Sequence, residues 1–154
     1  MKILLKKVGI STYNPETKEI SNFWMICNLQ NGKEIEIFDN VPYDLRNFEK
    51  KEIDGLIFMS LSSNPIDDSM MSDSNTIIFK GVYIGKYIIP VKWKIPEYIK
   101  LKYNHIIEFH AIETENGIFI INPSRLKYYS IKEGNEFMFR ANSFELWAWQ
   151  PIKK

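Results

Sequence analysis

The chain holds two histidines and one cysteine, so any metal or nucleophile chemistry must be built from very few residues. His105, Glu108 and His110 form the one cluster of imidazoles with a carboxylate. Such side chains could hold zinc, which asks for a tetrahedral set of ligands. On a strand, however, Glu108 and His110 share one face and His105 points to the other, so the set converges only across a bulge. Half-buried or surface histidines are therefore expected, with no metal. Cys27 lies among Trp24, Met25, Ile26 and Leu29. A nucleophilic thiol needs a nearby cation to lower its pKa, and this neighbourhood supplies none. A core thiol is expected.

Phosphate and acyl chemistry have no footing either. The seven glycines are dispersed, with no GxGxxG or GxxxxGK loop and no Gly-x-Ser-x-Gly elbow. The carboxylate pairs Glu34/Glu36 and Glu113/Glu115 fall in or beside expected hairpins, where a solvated strand face accounts for them. No catalytic residue is assigned, and the chain is read as non-enzymatic and without a cofactor.

Binding chemistry is better represented. In the last apolar run Phe144, Leu146 and Ala148 alternate with Glu145, Trp147 and Trp149. If the Phe144 face is the core, two tryptophans stand outside. Arg140 has the parity of Glu136 and Met138, opposite Phe137, Phe139 and Ala141. A hairpin at Asn142-Ser143 would then bring Arg140 and Glu145 onto one exposed face. Tryptophan and arginine dominate interface hot spots, so Trp147, Trp149, Arg140 and Glu145 stand as the candidate binding residues. The competing arrangement covers this strand on both sides and makes both tryptophans core. Basic residues also interleave with aromatics at Lys92-Trp93-Lys94, Lys100 to Tyr103 and Arg125 to Tyr129. That pattern suits stacking on single-stranded nucleic acid. Against it, 17 of the 20 cations are lysine and 19 acidic residues offset them, leaving a net charge of +1.

These residues must be positioned by strands. Only three alanines occur, whereas 14% of the chain is aromatic and isoleucine is abundant, a composition that favours β-structure over long helices. Strands are expected over Met1–Thr12, Ile20–Gln30, Lys33–Phe38, Ile53–Leu61, Thr76–Ile84, Tyr87–Trp93, His105–Glu113, Gly117–Ile121, Glu136–Ala141 and Phe144–Trp149. Asn31-Gly32 reads as a two-residue hairpin turn, and Glu115-Asn116-Gly117 as a second turn. Pro96–Tyr103 reads as a short helix or an irregular crossing, with Pro96 at a first helical position. The polar stretch Ser62–Asn75 is the best boundary.

An internal echo cuts across these elements. At an offset of 81, Ile37-Phe38 matches Ile118-Phe119, Pro42 matches Pro123, Leu45-Arg46 matches Leu126-Lys127, and Leu56-Ile57-Phe58 matches Phe137-Met138-Phe139. Each copy reads as a strand, a proline-led helical turn and a second strand. The expected fold is all-β and mainly antiparallel, a small barrel or sandwich. Two similar packed units, 1–62 and 76–154, with short one-turn helices and a polar linker at 63–75, would form it, or a single compact domain.

No apolar run approaches the ~20 residues that span a bilayer. Met1–Gly9 returns to Lys6-Lys7 too soon for a signal-peptide core of about 7 residues or more. A cytoplasmic binding protein with a protein partner and no membrane is the expectation, of the immunity, inhibitor or adaptor kind. The alternative is a small β-barrel that binds single-stranded oligonucleotides.

Overall fold

The computed structural model describes residues 1–63, 77–129 and 131–152. The expected linker at 63–75 lies outside the described residues except for Ser63. Eight strands form one mainly antiparallel sheet: β1 (Lys2–Tyr13), β2 (Ile20–Asn28), β3 (Glu34–Asp39), β4 (Glu52–Leu61), β5 (Ile77–Lys86), β6 (His110–Thr114), β7 (Gly117–Ile121) and β8 (Glu136–Pro151). One α-helical segment, α1 (Glu97–Lys102), and 3-10 turns at Arg46–Phe48 and Pro123–Tyr128 complete the described elements. The all-β, mainly antiparallel expectation holds.

The sheet curls into a barrel-like form. Pairing runs β1-β2-β3-β8-β4 and returns from β4 to β1, and it also runs β4-β7-β6-β5-β8 and returns from β8 to β4. Two rings therefore share the β4–β8 pair, which is central and covered on both faces. Side-chain alternation explains the two cores. Ile57 and Met59 of β4 join Phe144 and Leu146 of β8 in the larger cluster, while Leu56 and Phe58 join Trp147 and Ala148 on the opposite face. On β3, Ile35 and Ile37 are buried and Glu34 and Glu36 exposed, the alternation its sequence shows. Cys27 is fully buried in the larger cluster.

Four local expectations are corrected. The β2–β3 connection is a three-residue loop, Gln30 to Gly32, in which only Gly32 has positive φ (86°) and Leu29 N–H bonds Lys33 O. Asn31 keeps negative φ, so this is a turn closed by a glycine bulge, not a two-residue turn. Tyr87–Trp93 forms no strand, because Pro90 cannot donate to a ladder and the chain turns at Val91-Lys92. Pro96 sits just before α1 in extended conformation, as its N-cap. The hairpin at Asn142-Ser143 is absent. β8 runs unbroken for 16 residues, absorbing Asn142 as an extra residue between the pairs Ser60–Ser143 and Leu61–Ala141.

Two phenols, the half-buried Tyr43 and the buried Tyr129, tie the turns to the sheet. Tyr43 Oη donates to Trp147 O at 2.5 Å, and Tyr129 Oη to Ser62 O at 2.7 Å. Burial, and then the charge of Asp39, pushes Tyr43 from 10.0 up to about 12, and burial likewise raises Tyr129. Because the folded values lie above the unfolded one, this contribution to stability is complete below about pH 10 and is lost as pH rises further. For Tyr43 the loss extends through about pH 12. Stability towards urea is expected to be flat up to about pH 8, to fall from about pH 9 as the buried Cys27 thiol ionises only on unfolding, and to fall further above about pH 10 as these phenols do the same. Near-ultraviolet titration checks this, and ionisation of all the tyrosines near their ordinary value in the folded protein would contradict it.

Candidate functional site

The structure separates the four candidate binding residues. Trp147 is 1% exposed. Its ring stacks on Phe58 at 4.8 Å and meets Tyr103 at 4.9 Å and Phe109 at 5.0 Å. The expected exposed tryptophan face is thus corrected, and the cause is a bulge. Leu56 and Ile57 of β4 pair with Ala148 and Leu146, so Trp147 is an extra residue that reverses the alternation beyond it. Trp149 consequently moves to the other face, half-buried, with its ring edge-on to Phe48 at 4.8 Å. Arg140 is buried opposite Ile78 of β5, and its carbonyl accepts from Ser62 N–H at 2.8 Å. Arg140 and Glu145 therefore do not share an exposed hairpin face.

Glu145 is the member that anchors a site. It is 7% exposed, and its carboxylate accepts from Asn40 Nδ2 at 3.1 Å, Lys102 Nζ at 3.2 and 3.4 Å, and the Tyr103 hydroxyl. Asn40 is itself oriented by Asn22 Nδ2 at 2.9 Å. Burial and the neighbouring Glu145 carboxylate both hold the Tyr103 phenol far above its ordinary value, so it stays a donor. Each Glu145 oxygen has protein donors, and Lys102 balances the charge. The consequence is mechanical: β8 holds the end of α1. Beside this cluster lies a cavity of about 330 Å³ lined by Phe38, Phe58, Asn122, Arg125 and Ser143 among others.

The segment that Glu145 pins has two contrasting faces. Between β5 and β6, Tyr87, Ile89, Trp93, Ile95, Ile99, Tyr103 and Phe109 turn inward and cover the Trp147 cluster. Ile88 (83% exposed), Val91 (101%), Tyr98, Leu101 (62%) and Ile107 (100%) turn outward. Five of the eight large apolar residues exposed among the described residues fall on this one excursion. That concentration sets them apart from scattered surface hydrophobes, which are ordinary. Residues 86–107 also carry five lysines and one acid, Glu97, a surplus of four in a chain whose net charge is +1. Three of the lysines are tied to the framework: Lys86 to Glu108 at 3.3 Å, Lys92 to Asp54 at 3.4 Å, and Lys102 to Glu145. Lys94 and Lys100 make no ion pair among the described residues. The interleaving of lysine with aromatics at 92–94 and 100–103 was the trace of this segment in the sequence. Which residues faced outward was not readable, because the segment follows no fixed period.

Elsewhere the small chemistry is local. His110 Nε2 lies 3.2 Å from Glu108 Oε1, and its Nδ1 bonds the Tyr83 hydroxyl. His105 is exposed and outside the strand. No group of three metal-ligating side chains occurs among the described residues. Burial pushes the Cys27 thiol up to about 12. Thiol reagents are accordingly expected to label Cys27 only after unfolding, and rapid labelling of the native protein would contradict its placement. No protein-family model, curated protein or solved structure matches the chain.

Proposed function

We propose that this is a non-enzymatic binding protein, of the immunity, inhibitor or adaptor kind, that docks a partner protein through residues 86–107. The observation that carries this reading is the outward set Ile88, Val91, Leu101 and Ile107 on a segment with excess lysine. Aliphatic anchors in a basic surround complement a partner face that is apolar at its centre and acidic at its rim. The oligonucleotide reading is weaker on the same observation. Stacking draws on exposed rings, whereas Trp93 and Tyr103 turn inward and only Tyr98 and the smaller imidazole of His105 are exposed on the segment.

The framework supports this reading. β1 pairs with β2 and β4, as β5 pairs with β6 and β8. β3 and β7 each lead into a 3-10 turn, and each makes a parallel pair with the last strand of the other unit. We infer that units 1–62 and 76–154 are copies of one ancestral unit, in line with the match at offset 81. The copies differ most at one connection. Residues 14–19 join β1 to β2, whereas 87–109 join β5 to β6. An insertion carried by a rigid scaffold is where binding function concentrates.

A photo-crosslinking residue placed at Val91 or Leu101, in the cell that makes the protein, is expected to capture one and the same protein. The same residue at Tyr13 should not capture it. Equal capture from Tyr13, or capture of nucleic acid instead, would overturn the reading.

A further inference from the structure

We propose that the cavity beside Glu145 is a binding site for a small organic anion, a compound with a phosphate or carboxylate group on an aromatic or similarly flat apolar body. Its polar lining is asymmetric in what it has left to offer. The carboxylate of Glu145 already accepts from Asn40, Lys102 and Tyr103, so it has no further need of a cation. The unused capacity is for donation. Arg125 lines the cavity, is exposed, and makes no ion pair among the described residues. Asn122 spends its Oδ1 on Ser124 N–H at 3.1 Å, which leaves its Nδ2 hydrogens over. Ser143 adds a hydroxyl at the rim. A guanidinium with amide and hydroxyl donors is the pattern that recognises an oxyanion.

The remaining wall fixes the rest of the ligand. Phe38 and Phe58 line the same cavity and give it an apolar wall on which a flat ring can rest. At about 330 Å³ the space is sufficient for a single-ring compound. The lining comes from both halves of the chain: Phe38 and Phe58 from β3 and β4, Arg125 and Asn122 from the end of β7 and its 3-10 turn, Phe144 from β8. Pockets between packed units are a common location for ligands. This site is separate from the outward aliphatic residues, so it stands or falls independently of the docking surface.

Phenyl phosphate, inorganic phosphate and phenol are the probes, titrated against the full chain by calorimetry and by amide chemical shifts. Phenyl phosphate is expected to saturate, to move the amides of Asn122 and Ser143, and to bind at least about tenfold more tightly than either fragment. Arg125→Gln should weaken it by about tenfold or more, the scale of one charge-assisted contact, with an unchanged melting temperature because Arg125 is exposed. An Ile88→Asp, Val91→Asp variant should bind the probe as the parent does. The proposal is overturned if phenyl phosphate fails to saturate, if its shifts spread over surface lysines, or if Arg125→Gln binds it as tightly as the parent.

Discussion

Trp147→Ala is expected to destabilise the fold by about 3–5 kcal/mol, measured by urea unfolding with the slope unchanged. The ring is enclosed by Phe58, Tyr103 and Phe109, and removing it empties the centre of the smaller core. No collapse of β8 can refill the space, since its neighbours Leu146 and Ala148 are held by pairing with β4. Trp149→Ala should cost clearly less, because that ring is half-buried and packs chiefly on Phe48. A Trp147→Ala protein as stable as the parent would show that the ring is not enclosed.

Glu145→Ala is expected to cost about 3 kcal/mol, the low end for breaking a buried pair. The low end applies because Lys102 is 39% exposed and regains water when its partner is removed. Tyr103 and Asn40 lose an acceptor in the same change. Glu145→Gln, which keeps an acceptor oxygen, should recover part of the loss. Hydrogen exchange adds a readout that global stability does not give: α1 should open more readily than β8 in Glu145→Ala. Uniform loosening of both elements would contradict the anchoring role.

How far the sequence carries these conclusions depends on which physical signal each element leaves. β3 was legible because Ile35 and Ile37 alternate with Glu34 and Glu36, and only one face of that strand meets the core. β8 was legible as β but not as one strand. Its burial on both faces erases alternation, and the bulges at Asn142 and Trp147 reverse parity without any mark in residue type. That reversal misplaced Trp147 and Trp149 while leaving Glu145 as a member of the site by its contacts. The donors to Glu145 come from β8's distant neighbours in sequence, Asn40, Lys102 and Tyr103. Spacing cannot show contacts made across more than 40 residues. The start of the excursion, Tyr87–Trp93, reads as a strand because its inward residues are β-formers, though Pro90 argues for irregular chain, whereas the short helix after Pro96 is legible.

The account rests on residues 86–107 being the docking surface. The decisive measurement is the affinity of the protein captured from Val91 for the parent chain and for an Ile88→Asp, Val91→Asp, Leu101→Asp, Ile107→Asp variant. These side chains are exposed, so the melting temperature should stay within a few degrees of the parent. The account predicts that affinity falls by about 100-fold or more, since apolar anchors at an interface centre contribute about 2 kcal/mol or more each. Retention of the parent affinity by the folded variant would contradict it.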